Sequence, residues 1–332
     1  MRKVMWITAL IAALWCGWWL LASAGLRGSV STWLAARSAE GWQAEASEIT
    51  GGGFPVTLRA QLNDLALADP QAGLAIRTAR LDISAPAWWP GDVTVALDDR
   101  PILLASPLGR NTLSMQDGVM ALKLHPGTAL ALEAMGWTAG PWDLADEGGT
   151  MMQADDLTLT MMQTDGATYD LVATAAGFAP GDATRRTLRL PGSFPRAFDS
   201  LQIRASVTFD RVWDRSALDT ARPQPRAITL HLAEARWGDL RLNFAADLTV
   251  DAGGTPAGSL AIQAQNWRTM LDLAEAAGGV PPALRAQAEN ILQALAQASG
   301  NPDALDVTLN VRGGMIALGF IPLIPAPRLT IR

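Results

Sequence analysis

The sequence predicts a mainly β protein: an N-terminal transmembrane helix, then a curved antiparallel sheet, groove-like or sandwich-like, with a C-terminal helical pair packed on its edge or end. Three observations carry this. The segment Val4–Leu26 holds no charged residue, apolar and polar residues alternate along most of the remaining chain, and helical periodicity returns clearly only near residues 266–300. At 332 residues, 49% hydrophobic and 17% charged with net charge −6, the chain is long enough for a substantial core and is not a nucleic-acid-binding or disordered chain by composition.

Arg2 and Lys3 precede the uncharged run, whose length is close to the roughly 20 residues that cross about 30 Å of hydrocarbon. Ala22-Ser23-Ala24 fits a cleavage site, but the run exceeds the roughly 7–15 residues of a signal core, so residues 1–28 read as an uncleaved anchor in preference to a signal segment. The basic pair places the N-terminus in the cytoplasm and the bulk of the chain outside it. Trp15, Trp18 and Trp19 fall in the outer half, where indoles favour the interface. Cys16, the sole cysteine, lies inside this helix behind Trp15, which excludes lipidation and any internal disulfide.

Residues 29–50 read as an amphipathic helix, with Val30, Trp33, Leu34 and Ala44 on one side. Trp33 and Trp42 are candidates for membrane contact, but the polar face lacks Lys/Arg enrichment, which favours a helix that plugs one end of the sheet. The glycines of GGGFPVTLRAQLNDLALADP are followed by Pro55 and a strand, not by the helix a phosphate loop needs, so they are a turn into the sheet. The β-rich domain spans 51–332, in two halves, 51–177 and 178–332. Its apolar positions include Leu81 and Ile83, Val93–Leu97, Met120–Leu124, Leu157–Met161, Leu201–Phe209, Ile228–Leu232, Leu240–Leu248 and Leu305–Val311, with turn signals DDR, DAGG and RGG between them. Strand following strand implies an antiparallel meander with one apolar face.

In the helical interruption Asn266 is placed as N-cap, Gly278-Gly279 as a stop, and Pro281 to Ser299 as a second helix bearing the stripe Leu284, Ala288, Ile291, Leu292 and Leu295. GFPVTLRAQLNDLALADP, PAWWPGDVTVALD, WGDLRLNFAADLTVDAGGTPAGSLAIQAQNW and the closing GGMIALGFIPLIPAP together resemble the bacterial envelope proteins grouped as domain of unknown function 2125, over roughly residues 30–332. The closing pattern is also similar to the end of AsmA-like envelope proteins, curved β-grooves associated with lipid handling. The resemblance implies an inner-membrane protein with a single pass and its body in the periplasm, and no established activity.

Candidate chemistry is sparse. His125 and His231 have no partnering motif, no Gly-x-Ser-x-Gly, His-Glu-x-x-His or paired cysteine occurs, and Asp98-Asp99 and Asp155-Asp156 put their members on opposite faces. No catalytic residue, metal site or cofactor is expected, and the chain reads as a non-enzyme, with an exported hydrolase as a secondary alternative. Residues 126–184 carry nine acids and no Lys or Arg, whereas 185–226 carry nine arginines. Either the two segments pair across strands, or Arg185, Arg186, Arg189 and Arg196 form a patch for lipid phosphates or an acidic partner. The expected partners are the inner membrane, a lipid and other envelope proteins. If the sheet encloses a groove, Leu81, Ile83, Val95, Leu159, Ile203, Leu230 and Ile262 line it; the alternative is a sealed core in a structural or partner-binding protein.

Overall fold

The computed structural model describes residues 1–331 except 71, 193, 220, 221 and 299. One continuous helix, α1 (Arg2–Ala39), carries the anchor and the first part of the expected amphipathic segment. The helix expected over 29–50 therefore ends early. Gly41 adopts φ +93 and the Trp42 N–H returns to the Arg37 carbonyl, a glycine stop that the apolar periodicity does not reveal. The chain then turns back as β1 (Gln43–Glu45) and β2 (Glu48–Gly52), both paired antiparallel with β3 (Thr57–Asp69). The expected turn follows: Gly53 has φ +97, and a Cβ there would run into the Thr57 carbonyl.

β3 pairs with β4 (Leu74–Pro86), and five further long strands follow, each interrupted near its middle. They are β5 (Asp92–Leu97) with β6 (Ile102–Ser106), β7 (Gly109–Met115) with β8 (Val119–Leu124), and β9 (Leu132–Ala139) with β10 (Trp142–Asp146). β11 (Gly149–Ala154) with β12 (Leu157–Asp165) and β13 (Thr168–Thr174) with β14 (Ala179–Pro180) complete the set. Both halves of each strand pair with the corresponding halves of the next, so the breaks line up across the sheet. The line reaches β3, where buried Leu62 and Leu65 share one cluster although three residues apart, with Asp64 at φ +47 between them. Interruptions of this kind bend strands.

This corrects one turn assignment. DDR (98–100) does not join two neighbouring strands; it interrupts one long strand while β4 runs unbroken beside it. Carboxylates along the line replace lost ladder bonds: Asp99 accepts the Asp117 N–H at 3.1 Å and Asp156 accepts the Ala176 N–H at 2.8 Å. DAGG and RGG are true hairpin turns, before β18 and β20 below.

After α2 (Asp182–Thr187), the meander continues from β13 through β15 (Ser200–Phe209), the short α3 (Ser216–Asp219), β16 (Pro225–Trp237), β17 (Leu240–Val250) and β18 (Pro256–Gln265). α4 (Trp267–Ala276) and α5 (Pro282–Ala298) then intervene before β19 (Ala304–Arg312), β20 (Met315–Leu318) and β21 (Ile321–Pro325), which close the sheet. Asn266 holds the N-cap position but not the expected cap. Its backbone is left-handed (φ 58) and its amide donates to the Asp239 carbonyl instead. The expected end of α5 at Ser299 lies outside the described residues. Its stripe splits: Ala288, Leu292 and Leu295 pack on the sheet cluster, whereas Leu284 and Ile291 are exposed. Arg285 links the helices, reaching Asp272 and Glu275 on α4 and Glu289 on α5.

Candidate functional site

The cross-strand register assembles one apolar face from residues scattered over the whole chain. Starting at β3, directly paired residues run Ala60, Ile83, Val95, Met120, Trp137 and Leu159. The row continues through Ala173, Ile203, Ala233, Phe244, Ile262 and Val307 on β19 without a polar interruption. Five of the seven expected lining residues (Ile83, Val95, Leu159, Ile203 and Ile262) are in this row. Leu81 lies two residues along β4 from Ile83, and Leu230 belongs to the adjoining row, between Ala205 and Ala246. The opposite face is mixed and polar; one row there reads Asp170, Ser206, Thr229, Asp247, Ser259, Asn310.

What covers the face differs along its length. At the first strands, Leu34, Val30 and Trp33 of α1 pack on Leu62, Leu65, Leu81 and Ile83. At the last strands, Trp267 and Leu271 of α4 and Ala296 of α5 pack on Ala264, Leu305 and Val307. Along one margin Trp213 lies with Phe209 and Tyr169; the Tyr169 hydroxyl donates to the Leu132 carbonyl and accepts the Trp213 N–H, and burial pushes its pKa up. Between these covers Val95, Met120, Trp137, Leu159, Ala173, Ala233 and Phe244 are half-buried, and Ile203 is 44% exposed. The Trp137 indole nitrogen is buried and has no hydrogen-bond partner among the described residues.

The exposed area accords with an open sheet. The chain presents 19255 Å², against about 13,000 Å² for a compact monomer of its mass. Part of the excess is the uncovered first half of α1. Two cavities lie elsewhere: one of about 850 Å³ on the polar face beside Asp247, Ser259 and Asn310, and one of about 640 Å³ beyond the break line beside Arg77, Arg110 and Asp146.

The arginine patch does not assemble as a free surface. Arg185 donates to the carbonyls of Pro191, Phe194 and Pro195, Arg186 donates to the Gly148 carbonyl, and Arg196 stands 3.7 Å from Asp182; Arg189 sits in a left-handed turn after α2. The acidic and basic segments meet in the Arg196–Asp182 pair, whereas Arg226 pairs with Asp210 inside its own segment and Glu133 with Lys123, which lies outside both. Nor do the histidines form a site. His125 bonds Gln163, and His231 bonds Ser206, whose hydroxyl in turn donates to Asp170. In that chain the serine stands between acid and imidazole, the wrong order for an activated nucleophile. Among the described residues no group of three or more His, Cys, Asp or Glu is placed to hold a metal.

The class defined by fold and site is a single large antiparallel sheet, capped by helices at both ends, behind an N-terminal helix that is long and apolar enough to cross a membrane. The chain belongs to the bacterial family described as "Uncharacterized protein conserved in bacteria (DUF2125)", whose match spans residues 19–327. No curated protein and no solved structure matches it.

Proposed function

We propose that this is a membrane-anchored periplasmic protein, without enzymatic activity, that binds a lipid acyl chain on the apolar face between α1 and α4–α5. The observation that carries the reading is the uninterrupted apolar row whose central members, unlike those at its ends, have no covering helix. Its lining is mostly aliphatic, alanine and methionine side chains, with Trp137 and Phe244 among them, a surface that adapts to a flexible chain. Retention of α1 is supported by its packing. Trp15, Trp18 and Trp19 donate to the carbonyls of Pro55, Ala87 and Thr57, and Ser23, inside the cleavage-like sequence, is buried. Cleavage after Ala24 would remove all three bonds.

Mass spectrometry of full-length protein extracted gently from membranes tests the reading. Bound lipid is expected in the unmodified protein, and Ile203→Trp is expected to displace it while the thermal midpoint stays nearly unchanged. Absence of lipid, together with loss of stability on Ile203→Trp, refutes the groove and leaves a structural or partner-binding role.

A further inference from the structure

The body meets α1 at a level that a membrane-spanning helix cannot leave in water. The three indole bonds of Trp15, Trp18 and Trp19 fix the sheet's rim alongside that stretch of helix, and the Trp19 and Phe54 rings meet edge-on at 5.2 Å. From Val4 the helix rises only about 17 Å to Trp15 and about 23 Å to Trp19, short of about 30 Å of hydrocarbon. Tilting α1 shortens that rise further. The rim must therefore meet the outer leaflet, with the bilayer thinned around it.

The rim has the composition this demands. Residues 53–56, 87–91 and 126–131, three loops that succeed one another along the sheet end next to α1, contain no charged residue. They are knit together by the Ala87 N–H on the Val56 carbonyl and the Leu124 N–H on the Gly91 carbonyl. Trp88 is 66% exposed, Phe54 55% and Val56 52%, and Leu130 is exposed beside them. Carbonyls of irregular loops are costly near acyl chains, and here those of Pro55, Thr57 and Ala87 are taken by the indoles. Charge returns immediately beyond, at Asp165 in the next turn and at Asp214 and Arg215; the Arg215 N–H donates to the Ala129 carbonyl, so Leu130 marks the limit of immersion.

We infer that this rim is an interfacial membrane contact: Phe54, Val56, Trp88 and Leu130 sit at the boundary between headgroups and acyl chains of the outer leaflet and hold the sheet against it. The inference rests on the anchor reading of α1 and is independent of lipid in the groove. Its test is an environment-sensitive fluorophore placed on Val56→Cys, Trp88→Cys or Leu130→Cys in full-length Cys16→Ser protein, reconstituted into phosphatidylethanolamine–phosphatidylglycerol vesicles carrying a lipid-borne quencher. Leu10→Cys within α1 and Leu108→Cys at a hairpin tip on the opposite end, 99% exposed, serve as references. Blue-shifted, strongly quenched emission is expected at positions 10, 56, 88 and 130, and aqueous, unquenched emission at 108. Quenching at position 10 alone overturns the rim contact and leaves the anchor. Quenching at 108 equal to that at the rim also overturns it, and no quenching at any position removes anchor and rim together.

Discussion

The two capped ends of the apolar face and its open middle are made from the same residue types in the same register, yet along the row from Ala60 to Val307 only the ends pack under helices. Ile83 and Val95 are cross-strand partners one strand apart, but Ile83 packs with the α1 cluster while Val95 belongs to none of the packed clusters. Val307 packs under α4 and α5, whereas Ile203, in the same row, is 44% exposed. Burial in this fold is thus decided by what is laid over the strands, helices at the two ends and the Trp213 segment along one margin. The strands supply an apolar surface and leave its use open.

The largest effect that tests this contrast is expected at the capped ends. Trp267→Ala, at 2% exposure the centre of the cluster under α4 and α5, should cost about 3–5 kcal/mol by denaturant unfolding, and Leu62→Ala under α1 about 2–5 kcal/mol. In the open middle, Ile203→Ala should cost only about 1 kcal/mol, because the side chain already faces solvent in part. A cost at position 203 as large as at 62 would show that the middle is sealed.

The smallest effect concerns acid. The Arg100 guanidinium hydrogen-bonded to Asp98 at the break line, and the Ser200 hydroxyl on Glu234, hold both carboxyls below the usual carboxylate range. Because their folded-state pKa values are depressed, the stability they contribute is complete above about pH 4 and is lost as pH falls through the folded values. A modest fall in thermal midpoint between pH 5 and pH 3 is expected (both roughly placed by those carboxylate ranges), smaller in Asp98→Asn than in the unmodified protein.

The apolar face was legible in sequence because its signal is local. A period of two needs only a few residues, so Leu81, Ile83, Val95, Leu159, Ile203, Leu230 and Ile262 could be placed on one side without knowledge of the pairing. The long-range features were not legible. Asp98-Asp99-Arg100 has the composition of a hairpin turn, and only the unbroken β4 beside it makes it a mid-strand break. The α5 stripe is wider than the surface it meets, so periodicity alone could not separate packed Leu292 from exposed Ile291. Counting charges by segment also misled, since Arg185 spends its guanidinium on the backbone of its own loop.

The pairing order has a consequence for how such a protein is made and varied. Each long strand joins its predecessor in the chain, and the capping helices α1, α4 and α5 lie beside strands adjacent to them in sequence. Loop closure is cheap at every step, so the sheet can grow hairpin by hairpin as the chain is made, without waiting for its C-terminus. For the same reason a whole hairpin can be gained or lost between the two caps without unpairing the rest, so the span between them is adjustable in units of two strands, as in quasi-one-dimensional repeat proteins.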